Sequence, residues 1–282
     1  MLRSLKDLED YAISATDGTI GHVKDFYFDD AAWAIRYLVV DTGSWLSDRK
    51  VLISPIAIGH ANWAEKALPV SITREQVKNS PDIDTEKPVS RQHELGYLSY
   101  YGYQDYWSGD GLWGDLSYPG LLMPARAGLA VAPPVIPPDA ATVAARAEAA
   151  RHKEGDPHLR SCKAMLGYDI QATDGDIGHV QGLLVDEETW AIRYMVVETG
   201  HWWLGHRVLI APQWILKVSW SDTAVAVNLT RQAVKDAPPY DSAVELDREQ
   251  EIGIHEHYGL PAYWSAEAHR PATPLSQGQL GL

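Results

Sequence analysis

The first hundred residues are patterned as short stretches of apolar and polar residues broken by glycine, aspartate and proline, the spacing of strands joined by tight turns. Asp17-Gly18 separates two such stretches and supplies the positive φ angles of a hairpin turn. Strands are predicted over Gly21 to Asp29 and Trp33 to Asp41. Within the latter, Leu38-Val39-Val40 is apolar on both faces, as in a central strand. A second hairpin follows over Thr42 to Lys50, then Val51-Leu52-Ile53 ahead of Pro55, then Leu68 to Ile72. Five or six short strands of this kind predict a small closed or nearly closed β-barrel. Thr73-Arg74-Glu75-Gln76 has the spacing of a capping box, so a short helix is predicted to follow the barrel.

The pattern occurs twice. Ala15-Thr-Asp-Gly-Thr-Ile-Gly-His-Val23 returns as Ala172-Thr-Asp-Gly-Asp-Ile-Gly-His-Val180, an offset of 157 residues. Trp33-Ala-Ile-Arg-Tyr-Leu-Val-Val-Asp-Thr-Gly43 returns as Trp190-Ala-Ile-Arg-Tyr-Met-Val-Val-Glu-Thr-Gly200, and 18 of the 29 aligned positions from Ala15 to Gly43 are identical. The offset continues without a gap through Pro55 and Pro212, Trp63 and Trp220, and Thr73-Arg74 and Thr230-Arg231. It still holds at Tyr106-Trp107 and Tyr263-Trp264, so each unit is about 105 residues long. The second copy keeps Thr230 but has Ala233 where the first has Gln76, which predicts a less fully capped helix.

These spacings divide the chain into a first unit (1–107), a linker (108–160), a second unit (161–264) and a flexible tail (265–282). Six residues from Pro119 to Pro138 are proline, so this part of the linker should run extended. The Ala-rich stretch Asp139 to Glu154, with Asp139 as N-cap and Gly155 as stop, predicts a short helix.

The run of a D-G turn, I-G-x-V, an acidic residue, an apolar strand ending V-V-[DE]-T-G and then [KR]-V-L-I-x-P resembles the PRC-barrel of the cytoplasmic part of the photosynthetic reaction-centre H subunit. Here those residues are Asp17, Gly18, Ile20, Gly21, Val23, Asp29, Val39 to Gly43 and Lys50 to Pro55, with partners 157 positions later. The resemblance covers roughly residues 4 to 73 and 161 to 230. The ending Tyr-Gly-x-x-x-Tyr-Trp resembles an extension of bacterial tandem PRC-barrel proteins. What the resemblance implies is a mainly β fold of two tandem barrels, each with a short helix and an aromatic extension, and a role in protein contacts. The membrane helix of the reaction-centre subunit and the RNA-associated domain of ribosome-maturation members have no counterpart in the sequence, so neither of those jobs carries over.

Charge narrows the partners. With 24 basic and 38 acidic residues the formal charge is -14, which disfavours nucleic acid and anionic lipid, both bound through clustered Lys and Arg. No apolar run reaches the roughly 18 residues of a membrane span, and a cytoplasmic location is expected. The single cysteine, Cys162, excludes an internal disulfide and aligns with Leu5, so burial as a small hydrophobe is expected. Eleven Trp and 14 Tyr stand against 2 Phe, a composition suited to half-buried positions and interfaces.

No Ser/His/Asp grouping, nucleophile elbow or phosphate-cradling loop is present, so no catalytic residue, metal site or cofactor is assigned and the protein is not expected to be an enzyme. Asp17 and Asp174 belong to turns, and Asp41 and Glu198 close strands. His22 and His179 sit beside a retained glycine with no second ligand at metal spacing, and His255 and His257 align with Leu98 and Tyr100. The hairpin tips are the protein-interaction candidates: Trp45 and Leu46 in one copy, and Trp202, Trp203 and Leu204 in the other, are large apolar groups where turns carry polar ones. The alternative for the tips is packing over the barrel mouth or on the sister barrel. The expected function is a soluble, non-catalytic scaffold or adaptor with a protein partner, its two barrels paired about a pseudo-twofold. The rival is a small-ligand or metal-binding sensor using the barrel or tail histidines.

Overall fold

A computed structural model of the chain describes residues 1–81, 89, 91–109, 111–122, 159–200 and 206–268. The second hairpin tip, the prolines beyond 122, the Ala-rich stretch 139–154 and the tail from 269 lie outside the described residues. The first half of the chain forms β1 (Leu2–Ser4), α1 (Leu5–Leu8), β2 (Ala12–Ala15), β3 (Gly18–Asp29), β4 (Ala34–Asp41), β5 (Lys50–Ile53), β6 (Ala67–Pro69), α2 (Arg74–Lys78) and α3 (Arg91–Tyr101). The second repeats the order: β7 (Leu159–Ser161), α4 (Cys162–Met165), β8 (Asp169–Ala172), β9 (Gly175–Asp186), β10 (Ile192–Thr199) and β11 (Arg207–Ile210). It then continues with β12 (Ile215–Ser219), β13 (Ala224–Val227), α5 (Arg231–Lys235), α6 (Arg248–Tyr258) and α7 (Tyr263–Ala268). The architecture is mainly β, as the alternation predicts. Among the described residues no helix is long and apolar enough to cross a membrane.

The two sheets run in the orders β5-β4-β3-β2-β6 and β11-β10-β9-β8-β13-β12. Their ladders are not closed, which corrects the expectation of closed barrels: among the described residues no strand pairing joins β5 to β6 or β11 to β12. The cause is local. Pro55 and Pro212 lack an N–H and turn the chain into 3-10 turns as each end strand finishes, so the gap is spanned by a few bonds and, in the first unit, by one isolated antiparallel bridge between Ile58 and Val70. Examples are Gly59 N–H to the Pro69 carbonyl (2.8 Å) and Asn228 N–H to the Trp214 carbonyl (2.8 Å).

Each unit lends a strand to the other. β1 pairs antiparallel with β9, setting Leu2 against Asp186 and Ser4 against Leu184. β7 pairs with β3 in the matching register, Leu159 against Asp29 and Ser161 against Tyr27. Ala34 and Ala191 form an antiparallel bridge. Around it Ile35 N–H donates to the Trp190 carbonyl (2.8 Å) and Ile192 N–H to the Trp33 carbonyl (2.7 Å). All these partners are related by the offset of 157, so a pseudo-twofold axis passes between the two alanines. The arms are fastened at their tips: Arg3 Nε lies 2.6 Å from Glu187 and its guanidinium 3.7 Å over Trp63. Arg160 Nε lies 3.3 Å from Asp30, with its guanidinium 4.5 Å over Trp220.

The core also extends beyond residue 107. Trp113 is fully buried and its indole N–H donates to the Thr189 carbonyl of the other unit (2.8 Å), while Leu122 is buried as well. The glycines around Trp113 resemble a loop in composition, yet they let the chain double back closely enough that a Cβ on Gly111 would lie 2.4 Å from the Gly114 carbonyl oxygen.

Helix capping follows the sequence closely. At α2 the Thr73 hydroxyl accepts from Gln76 N–H (3.1 Å) and the Gln76 side chain accepts from Thr73 N–H (2.8 Å). At α5 the Thr230 hydroxyl accepts from Ala233 N–H (3.2 Å), and the reciprocal bond to the Thr230 N–H is absent because Ala233 stands where α2 has Gln76.

Candidate functional site

The first hairpin tip is a 3-10 turn over Gly43–Leu46, with Ser47 and Asp48 both in the left-handed region at φ 54 and 56°. Trp45 and Leu46 are half-buried and pack against the core. The Trp45 indole N–H donates to the Ile20 carbonyl, and the Arg74 guanidinium lies 4.3 Å over its ring. The tip therefore leans on its own sheet and leaves only part of the indole for contact. Trp202, Trp203 and Leu204 of the other tip lie outside the described residues.

Retained residues bring together a buried polar cluster that sequence reasoning missed. β4 delivers Arg36 and Tyr37 to opposite faces, α3 delivers Glu94, and the aromatic extension delivers Tyr106. Glu94, 1% exposed, accepts from the Tyr37 hydroxyl (3.4 Å) and from the Tyr106 hydroxyl. Arg36, 2% exposed, donates to the Leu112 carbonyl (2.7 Å), reaches Asp29 (3.5 Å) and lies 3.9 Å over the Tyr106 ring. The second unit repeats the set. Glu251 accepts from Tyr194 (3.0 Å) and Tyr263 (2.9 Å), and Arg193 lies 3.9 Å over Tyr263 and 3.6 Å from Asp186. Arg36/Arg193, Tyr37/Tyr194, Glu94/Glu251 and Tyr106/Tyr263 all stand at the offset of 157, which was the signal available. Burial pushes the Tyr194 and Tyr263 hydroxyls well above their usual range, reinforced by the adjacent Glu251 carboxylate, so they serve as hydrogen-bond donors rather than acids.

The second cluster has one added member. His255 replaces Leu98, is buried, and places its ring nitrogens 3.0 Å from the Tyr194 hydroxyl and 3.3 Å from the Leu260 carbonyl. Trp214 and Trp264 pack edge-on against it, each at 5.0 Å. Burial lowers its pKa from the usual histidine value, against the opposing pull of the Leu260 and Pro261 carbonyls. His257 lies on α6 too, but exposed, with Nε2 2.8 Å from the Ala233 carbonyl. His255 and His257 therefore do not share a face. His22 and His179 are exposed, the latter 3.7 Å from Glu198. Among the described residues no cluster of His, Cys, Asp or Glu has the arrangement of a metal site.

The carboxylates of the turns have a second task. Asp17 and Asp174 each accept the backbone N–H of the residue opening the following helix, Arg74 and Arg231, at 2.7 Å. Asp25 accepts from the Ser161 hydroxyl (2.5 Å) and from Lys163 N–H (3.1 Å), so the first unit caps α4 of the second. Burial raises its pKa. Its counterpart is Gly182, and the pair faces a groove of about 450 Å³ on the pseudo-twofold axis between α1 and α4. Cys162 borders the same groove but is buried, which pushes its thiol up and away from thiolate chemistry.

Two mainly β sheets with corresponding elements, joined by exchanged arms and closed over buried Arg-Tyr-Glu clusters, define a duplicated small β-domain protein. Residues 2–77 match the family model described as the PRC-barrel domain. That span covers β1 through α2, the part of the first unit that includes the borrowed-out arm and the capped helix. No curated protein matches the chain.

Proposed function

We propose that the protein is a non-catalytic scaffold or adaptor in which both units, and not only residues 2–77, are PRC-barrel domains working as one pseudo-symmetric body with a protein-binding surface. The observation that carries this reading is the reciprocal pairing of β1 with β9 and of β7 with β3. An exchange of this kind fixes the distance and orientation between two like surfaces, which is what a scaffold requires of its frame. The buried clusters support the same reading. Their carboxylates are closed in by tyrosine hydroxyls and their arginines lie under aromatic rings, so they brace the frame and offer no open reaction centre. The contact surface includes the hairpin tips, Trp45 and Leu46 together with Trp202, Trp203 and Leu204.

Affinity capture from the native cell, with the wild-type chain and a Trp45→Ser/Trp202→Ser chain of matched stability, tests it. Loss of a specific co-purifying protein from the double variant is expected. An identical set of captured proteins removes the tips from the surface.

A further inference from the structure

The second unit has a feature of its own where the chain passes from α5 to α6. Pro238 and Pro239 hold the chain extended, and Tyr240 N–H donates to the Arg207 carbonyl (2.7 Å), so the segment runs along the outer side of the end strand β11. α6 starts at Arg248, its first turn closed by a capping box of Asp247 and Gln250. Between β11, this segment and α6 lies a cavity of about 330 Å³. Leu209, Leu246 and Ile254 make its apolar wall, Tyr240, Asp241 and Gln250 its polar side, and Val244, 53% exposed, stands at its mouth. At the matching edge of the first unit Tyr97 is buried against Tyr37 and Tyr101, its hydroxyl donating to the Leu52 carbonyl (3.0 Å). Ile254, with less bulk, stands at that position.

Negative charge gathers around this cavity. From Pro238 to Gln250 the chain carries Asp241, Glu245, Asp247 and Glu249, all exposed, against Arg248 alone. Arg248 is turned away to Glu251 (3.2 Å) and the Trp264 ring. Asp7 of α1 adds a carboxylate from the first unit: burial and then Asp7 push the Tyr240 hydroxyl above its usual pKa, Asp241 adds to them, and Arg207 opposes. Arg207 itself is held at the Ser242 hydroxyl (3.2 Å). The first unit has Lys87, Pro88, Ser90 and Gln92 where the second has Val244, Glu245, Asp247 and Glu249. An apolar residue thus stands in place of a lysine, and acids in place of three neutral residues.

We propose that this cavity docks a segment of a partner protein in which a large apolar side chain is flanked by Lys or Arg. The apolar group enters between Leu209, Leu246 and Ile254, and the cations meet Asp241, Glu245 and Glu249. At about 330 Å³ the cavity is at the small end of ligand pockets, which suits an anchoring side chain. Burial of that anchor supplies the affinity, while the exposed carboxylates select the partner and speed its approach. An acidic segment is repelled, and a basic one without an anchor leaves the cavity empty. The proposal rests on the scaffold reading and gives its contact surface a second part, separate from Trp45 and Leu46, with a partner chemistry.

The probe is the peptide acetyl-Lys-Arg-Leu-Leu-Arg-Lys-amide, titrated into the full chain at low salt and followed by calorimetry and by the amide shifts of Val244, Leu246 and Ile254. Saturable binding with a Kd of about 1 mM or below is expected. Alanine in place of both peptide leucines is expected to weaken it about tenfold or more, and glutamate in place of its four basic residues to abolish saturation. Glu245→Lys/Glu249→Lys changes exposed positions that folding tolerates and is expected to weaken binding about tenfold. Ile254→Tyr, which installs the residue of the first unit, is expected to weaken it by narrowing the cavity. The proposal is overturned if the leucine peptide does not saturate, if the alanine peptide binds equally well, or if folded Glu245→Lys/Glu249→Lys binds like the wild type. A chain that self-associates and is released by the peptide assigns the site to a second copy and overturns the foreign partner. Specific capture of a cellular protein without peptide binding removes this site and leaves the scaffold reading standing, whereas peptide binding with no protein captured faults that reading alone.

Discussion

The two units carry one polar cluster in two environments. In the first, Glu94 and its two tyrosines are walled off by Leu98, Tyr97 and the Arg36 guanidinium, and the neighbouring sheet edge is finished by Tyr97. In the second, His255 joins the cluster through the Tyr194 hydroxyl, Arg248 lies 3.2 Å from the glutamate and α7 supplies Tyr263, while Ile254 stands where Tyr97 finishes the first sheet edge. Shared elements hold the fold and unshared ones set response. A repeat makes this separation visible, because each copy is the control for the other.

The largest test strikes what the copies share. A Cβ on Gly21 would lie 1.9 Å from the Asp41 carbonyl oxygen, and one on Gly178 2.0 Å from that of Glu198. Gly21→Ala and Gly178→Ala are each expected to cost about 3 kcal/mol or more, since backbone rather than a movable side chain is struck. Because the arms interlock, either change should lower the midpoint of a single cooperative urea transition. Two separated transitions would break the equivalence.

Removing the carboxylates comes next. Glu94→Leu and Glu251→Leu each strip the acceptor from two buried tyrosine hydroxyls, with an expected loss of about 2–4 kcal/mol. Glu251→Leu should be the costlier, because His255 loses its anchor through Tyr194 as well. Urea denaturation at neutral pH ranks them, and a reversed order would show that the histidine is a bystander.

The smallest effect appears only in acid. His255 has its folded pKa depressed, so the unfolded chain takes up the proton first. Its stabilisation is complete above the ordinary histidine pKa of about 6.5 and is lost as pH falls toward the folded value. His255→Leu, which restores the residue of the first unit, is expected to flatten this limb of the stability curve relative to wild type. Equal slopes for both chains between pH 7 and 5 would contradict the depressed pKa.

Much of this was legible beforehand. Turn residues, the strands from Gly21 to Ile53, the short capped helices after each sheet and the duplication follow from Asp17-Gly18, from the alternation around Val39 and Val40, from Thr73 to Gln76 and from the offset of 157. Four features were not. The exchange of β1 and β7 depends on pairing across 180 to 184 residues for β1 and 130 to 134 for β7, and a three-residue strand has no periodicity of its own. The open ladders turn on where Pro55 and Pro212 fall relative to the last bond. The clusters join Arg36, Glu94 and Tyr106 from three elements, and their polarity reads as surface until burial is known. Trp113 was hidden by its glycine neighbours, which suggest a loop by composition while allowing a close-packed one.

The exchanged arms also impose a timetable on synthesis. Residues Leu2 to Ser4 leave the ribosome well ahead of their strand partner on β9, which ends at Asp186. At about 5–20 residues per second, β1 waits about 10–40 s for its place, and the edge of β3 stays unfilled until β7 has been made. A growing chain is thus exposed to pairing with β7-like segments of neighbouring chains on the same messenger. The fold is reached most safely when the first unit finds its own second half before another copy's.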